Sequence, residues 1–125
     1  MFSHLMIRAN DMEASKAFYD AALGELGVRA PRVDPKGRVM YMHGGNTFML
    51  TKPINGKEAF GANGGTIGFA ATTPEEANAF HKAGLAQGGT AIEDAPGWRE
   101  GGGMRLYLAY LLDPAGNKIC AMCMG

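Results

Sequence analysis

The sequence predicts an α+β domain built from two tandem βαβββ modules. A strand-like segment, a capped helix and three short β-like runs follow one another twice. The first strand and helix of each copy align at a constant separation of 62 residues. That separation pairs Ala9 with Ala71, Glu13 with Glu75, Ala17 with Ala79, Phe18 with Phe80, Ala21 with Ala83, Leu23 with Leu85 and Gly27 with Gly89. The closing segments Gly45–Met49 and Gly116–Cys120 match at a separation of 71, and the extra nine residues fall most simply within Ala95–Gly103. An element order repeated in this way marks a duplicated supersecondary unit.

Each element has a local reason. Residues 3–9 read as a strand, and Asp11 is an N-cap for a helix over 12–23. Ala14, Phe18, Ala21 and Ala22 form the apolar stripe of that helix, and Gly24 and Gly27 supply its stop. Strands are expected at about 28–33, 38–43 and 47–52, separated by Asp34-Pro35-Lys36-Gly37 and Gly44-Gly45-Asn46 turns. Module one is thus 1–52, residues 53–64 are a linker, and module two is 65–125 of a single domain. The second module opens with a strand over 65–71. Thr73-Pro74-Glu75-Glu76 then combines an N-cap, a proline at the first helical position and a capping-box glutamate, for a helix ending near Ala86. A short strand near 90–93, a loop over 94–103 and a hairpin over 104–122 complete the pattern. In the hairpin turn Asp113-Pro114-Ala115-Gly116, proline presets φ and glycine supplies the exit conformation.

Composition narrows the function classes. At 125 residues, 46% hydrophobic and 19% charged, the chain has the make-up of one globular domain. Twelve basic residues balance twelve acidic ones, so no electrostatic footprint for nucleic acid or an anionic membrane is present. No apolar run approaches the roughly 20 residues that span a bilayer, and the first residues do not resemble a secretory leader. A cytoplasmic location is the expectation. Cys120 and Cys123 are spaced C-x-x-C, but no second ligand pair accompanies them as a zinc knuckle requires. On a strand, residues three apart point to opposite faces, so a redox pair is not expected either.

The stretch Leu111-Leu112-Asp113-Pro114-Ala115-Gly116-Asn117-Lys118-Ile119-Cys120 resembles the DP-x-G-N-x-[IL]-E signature of the vicinal oxygen chelate superfamily, which includes glyoxalases, bleomycin-resistance proteins and extradiol dioxygenases. The resemblance extends over essentially the entire chain. It implies a glyoxalase-like fold in which a mixed sheet curls into a cup with the helices outside. It also implies metal ligands at positions matching His4, Met49, Thr66 and Cys120 of this chain. Only His4 keeps a family ligand type. Met49 and Thr66 are poor ligands for a divalent cation in an N/O site, and Cys120 replaces a hard carboxylate with a soft sulfur. No metal and no other cofactor are therefore expected.

Strand alternation assigns Leu5, Ile7, Phe48, Leu50, Ile67, Phe69, Ile119 and Ala121 to the helix-packed side. The cup side then carries His4, Met6, Arg8, Met49, Thr66, Cys120 and Met122, whereas strand 104–112 is too uniformly apolar for its facing to be read. The candidate ligand-binding residues are His4, Arg8, Met49, Thr66, Trp98, Arg99, Tyr110 and Cys120. By resemblance, Arg8 and Tyr110 occupy substrate-contacting positions of glyoxalase-like and fosfomycin-resistance members. Trp98-Arg99, in a glycine-rich loop, offers a stacking plane and an anion fork to a lid. His43 shares a strand face with Tyr41, and His81 falls on the surface of the second helix. The expected function is binding of a small apolar or aromatic molecule in the cup, with a homodimer as the expected assembly. The alternative is a glyoxalase-type lyase, isomerase or dioxygenase using an irregular metal site or His4/Cys120 chemistry.

Overall fold

A computed structural model describes residues 1–125. The first module contains β1 (Leu5–Arg8), α1 (Met12–Gly24), β2 (Arg32–Val33), β3 (Val39–His43) and β4 (Asn46–Thr51). The second contains β5 (Ile67–Ala70), α2 (Pro74–Ala86), β6 (Thr90–Ala91), β7 (Gly97–Gly101), β8 (Met104–Leu112) and β9 (Lys118–Met124). The caps are those the sequence implies: Asp11 accepts from Ala14 N at 3.0 Å and Thr73 from Glu76 N at 3.1 Å. The carboxylate of Glu76 reaches one residue beyond the cap, accepting from Thr72 N at 2.8 Å.

Two mixed sheets result, one of four strands in the order β1-β4-β3-β2 and one of five. In the second, β5, β9, β8 and β6 lie in that order, and β7 also pairs with β8. The duplication extends to register. β1 runs parallel to β4 with Leu5 opposite Phe48 and Ile7 opposite Leu50. β5 runs parallel to β9 with Ile67 opposite Ile119 and Phe69 opposite Ala121, each the counterpart of the first pair.

The helix-facing sides of both sheets meet in one core. Phe48 and Leu50 of β4 share a buried cluster with Ile119 and Ala121 of β9, Tyr19 of α1 and Phe80 of α2. Tyr19, Phe48 and Phe69 pack tilted and edge-on across the module boundary, with Tyr19–Phe48 centroids 4.9 Å apart and Phe48–Phe69 centroids 5.0 Å apart. α1 and α2 approach closely because α2 carries a glycine where Phe18 of α1 lies. A Cβ at Gly84 would stand 2.9 Å from the Phe18 ring and 3.1 Å from Leu111.

The loop expected over 94–103 is instead β7, antiparallel to β8 from Gly97 opposite Leu108 to Gly101 opposite Met104. Gly102 and Gly103, both at positive φ, make the tight turn between them. The glycine run that read as a mobile lid is therefore a hairpin tip. β6 and β7 together line one edge of β8, interrupted near Glu93, whose φ is 58°. The strand expected over 28–33 shrinks to Arg32–Val33, which pairs only with Val39 and Met40. No helix is long and apolar enough to cross a membrane.

Candidate functional site

Alternation along the paired strands assigns each sheet a side turned away from the helices. In the first sheet Met6, Met40 and Met49 sit in adjacent register, with Met42 and Thr47 beside them. In the second, Met124 lies opposite Leu106, Met122 opposite Leu108 and Cys120 opposite Tyr110, and Met104 is on the same side. Seven of the nine methionines thus occupy the two outer sheet faces, and only Met1 and Met12 do not. Met6, Met42, Met104 and Met124 are exposed, whereas Met49 is buried between its neighbours. Methionine is an unbranched, polarisable side chain that fits irregular apolar surfaces.

The second face also carries the polar chemistry. Lys118 pairs with Glu93 and places its Nζ 4.9 Å from the centroid of the Tyr110 ring. Burial pushes the Tyr110 hydroxyl above its usual range, with the neighbouring Cys120 and Glu93 adding to the rise. The Cys120 thiol is also pushed up, chiefly by burial and against the pull of Lys118. A buried thiol held protonated is a packing and contact group, not an activated nucleophile. Gly68 gives it room, since a Cβ there would lie 3.4 Å from Cys120 Sγ. Cys123 points to the opposite side, into the core, and both cysteines are free.

The remaining sequence candidates separate in space. Arg8 Nη2 donates to Ala115 O at 2.8 Å, and its buried Nε and Nη1 have no partner. Gly61 of the linker lies against the guanidinium, so that a Cβ there would push on the end of the Arg8 side chain. Arg99 donates to Gly97 O at 2.9 Å and Asp94 O at 3.1 Å, bracing the chain just before β7. Trp98 stands on β7 with Arg105 over its ring at 4.1 Å and Tyr107 edge-on at 5.3 Å. It faces the helix side of that sheet, because Tyr107 opposite it packs against the core and donates to Asn78 of α2 at 2.7 Å. Trp98 and Arg99 therefore stand on opposite sides of one strand and do not form the expected stacking fork.

His4 and Thr66 line a crevice of about 530 Å³ at the junction of the modules, as does His43. His4 Nδ1 lies 2.8 Å from Ser3 Oγ. Cys120 and Met49 line none of it. No three His, Cys, Asp or Glu side chains converge anywhere in the chain. The family-type donor set does not fit a divalent metal by its chemistry: methionine and threonine occupy two of the four positions, and the thiol of Cys120 replaces a hard carboxylate. His81 lies half-buried on α2, where burial lowers its pKa against the opposing effect of the Tyr110 backbone.

A set of polar residues that alternation does not reveal joins the modules. Asp113, the first residue of the signature turn, is buried and accepts from Ala115 N and Asn117 N at 2.9 and 2.8 Å. Its other oxygen accepts from Tyr19 Oη at 2.7 Å and Asn117 Nδ2 at 2.8 Å. Asn117 Nδ2 also donates to Arg8 O at 3.1 Å. An Asp in a turn followed four residues later by Asn was the available signal, but the partner Tyr19 is 94 residues away.

Residues 1–121 match the family model described as the Glyoxalase/Bleomycin resistance protein/Dioxygenase superfamily. The crystal structure of a glyoxalase/bleomycin resistance protein from Albidiferax ferrireducens T118 is 53% identical, covers 98% of both chains and superposes with a TM-score of 0.95. A glyoxalase/bleomycin resistance protein/dioxygenase family enzyme from Burkholderia phytofirmans PsJN shares the fold at 22% identity and TM-score 0.74, with 98% of both chains covered. A glyoxalase-related enzyme from Fulvimarina pelagi does so at 17% identity and TM-score 0.71, covering 98% of this chain and 87% of that one. None of the curated proteins matches the chain.

Proposed function

The chain belongs to the glyoxalase/bleomycin resistance protein/dioxygenase superfamily, and on that premise we propose that it binds a small apolar or aromatic molecule against its outer sheet faces without a metal. The observation that carries this reading is the concentration of methionine there: Met6, Met40, Met42 and Met49 on one face, and Met104, Met122 and Met124 on the other. Exposed apolar side chains gathered on one surface mark a binding surface, whereas single ones scattered over a protein need no explanation. Tyr110 and the Lys118–Glu93 pair give the second face a polar edge with which to orient a ligand.

The two faces belong to separate sheets with no strand pairing between them. A second copy that sets its first module opposite the second module of its partner would enclose both faces in one cup. A homodimer is part of the proposal for that reason.

The test is ligand-induced stabilisation. Protein stripped with a chelator is screened against a broad set of apolar and aromatic metabolites and drugs, and a ligand at 100 times its Kd is expected to add about 2.7 kcal/mol. A screen without any stabilising compound counts against the proposal. Stabilisation or turnover that appears only on restoring Zn, Ni, Mn or Fe favours a metal-dependent lyase, isomerase or dioxygenase.

A further inference from the structure

The internal duplication makes the two ends of the module junction comparable. At one end the turn after β8 is fastened to the first module. Tyr19 bonds Asp113, Asn117 bonds the Arg8 carbonyl, and Arg8 bonds the Ala115 carbonyl. At the other end the repeat places Ala70 where Arg8 would stand, His81 for Tyr19, Met42 for Asp113 and Asn46 for Asn117. These counterparts form no such links, and the intervening turn shortens to Gly44-Gly45 between paired His43 and Asn46. What one end closes, the other leaves open as the crevice of about 530 Å³.

We propose that this crevice is a second ligand site, distinct from the outer sheet faces, and that it takes a flat aromatic carboxylate. Its inner wall is aromatic: Phe48 meets Phe69 at 88° with centroids 5.0 Å apart, and Tyr41 lies 6.1 Å from Phe48. Such walls favour a planar ring system in offset or edge-on contact. The rim supplies hydrogen-bond donors from His4, His43, Asn46 and Thr66, and no Asp, Glu, Lys or Arg lines the crevice. A carboxylate at that rim meets donors without repulsion, and the bonds it accepts are the charge-assisted kind. The volume lies within the usual range of roughly 300–1,000 Å³ for small-molecule pockets. No methionine lines it, and the outer faces meet it at their borders, through Thr47 and Gly68.

The test is a titration of the ¹⁵N-labelled full chain with 2-naphthoate, followed by amide chemical shifts. Saturable shifts are expected at Leu5, His43, Asn46 and the residues of β5. Leu5→Trp, which narrows the mouth from an already exposed position, is expected to weaken binding at least tenfold. His43→Ala is expected to weaken naphthoate several-fold, and 2-naphthalenemethanol, which lacks the carboxylate, to bind the parent at least tenfold less tightly than naphthoate. Lys36→Gln, on the exposed turn before β3, should leave the affinity unchanged. The absence of saturable shifts, shifts confined to the methionine faces, or undiminished affinity in both folded variants overturns the site. Equal binding of the alcohol overturns the carboxylate assignment. Because the probe reports on residues without a methionine among them, its outcome is separable from that of the outer-face proposal.

Discussion

Tyr19 Oη donates to Asp113 Oδ2 at 2.7 Å, and this contact ties the first helix to the last hairpin turn. The Asp-Pro-x-Gly-Asn signature therefore works at the module junction as much as in its own turn, because the carboxylate that nucleates the turn is also what the other module grips. Tyr19→Phe is expected to cost about 1.5–3 kcal/mol, the range for a hydrogen bond to a charged group. Asp113→Ala is expected to cost more, since it strands donors on Tyr19, Ala115 and Asn117 together. Urea unfolding of both variants checks the order.

The same contact has an alkaline signature. Burial first, and then the neighbouring Asp113, raise the Tyr19 pKa well above 10.0 in the folded chain. The unfolded chain releases that proton near its ordinary value, so the folded state holds more protons above about pH 10. Stability from this group is complete below the unfolded pKa and is lost as pH rises toward the folded value. Tyr41 is raised in the same direction, first by burial and then by Asp20. Tyr19→Phe is therefore expected to reduce, but not abolish, the fall in stability between pH 9 and 11, measured by denaturant midpoints across that range.

Gly84 sits inside α2, where alanine would ordinarily gain about 0.5–1 kcal/mol in helix propensity. Here the added methyl would meet Phe18 at 2.9 Å and Leu111 at 3.1 Å, both fully buried. Overpacking of this kind typically costs about 1–3 kcal/mol, so Gly84→Ala is expected to lower the melting temperature despite its better propensity. A thermal melt decides the sign.

Cys120 bears on whether the family chemistry has been replaced by thiol chemistry. With its pKa raised mainly by burial, little thiolate is available at neutral pH. Native protein at pH 7.5 is expected to react with a thiol-specific disulfide reagent far more slowly than urea-unfolded protein. Rapid stoichiometric modification of Cys120 in the native state would reinstate it as a nucleophile.

Much of the fold was legible because the duplication states it twice. The helices, their caps and the repeated element order follow from local signals and alternation, whereas the parallel pairing of each module's first and last strands is given by the structure. Asp94–Gly103 was misread because three glycines look like a flexible loop when two of them form a hairpin turn and the strand before it is short and polar. The facing of β8 was hidden by its apolar run, and with it the company that Tyr110 keeps with Cys120. The separation of His4 from Cys120, and of Trp98 from Arg99, depends on how modules pack and on which side of a strand each residue falls. Motif positions alone do not carry that information. The Tyr19–Asp113 contact spans nearly the whole chain, beyond the reach of any local pattern.

The central claim is that the methionine faces bind an apolar ligand without a metal. The most direct measurement labels the methionine methyl groups with ¹³C and follows them by NMR while chelator-treated protein is titrated with a stabilising compound from the screen. The expected result is saturable shifts among Met6, Met40, Met42, Met49, Met104, Met122 and Met124, with Met12, which packs beside the core, unmoved. Methyl groups that stay silent at saturation, or that respond only after a divalent metal is restored, would contradict it.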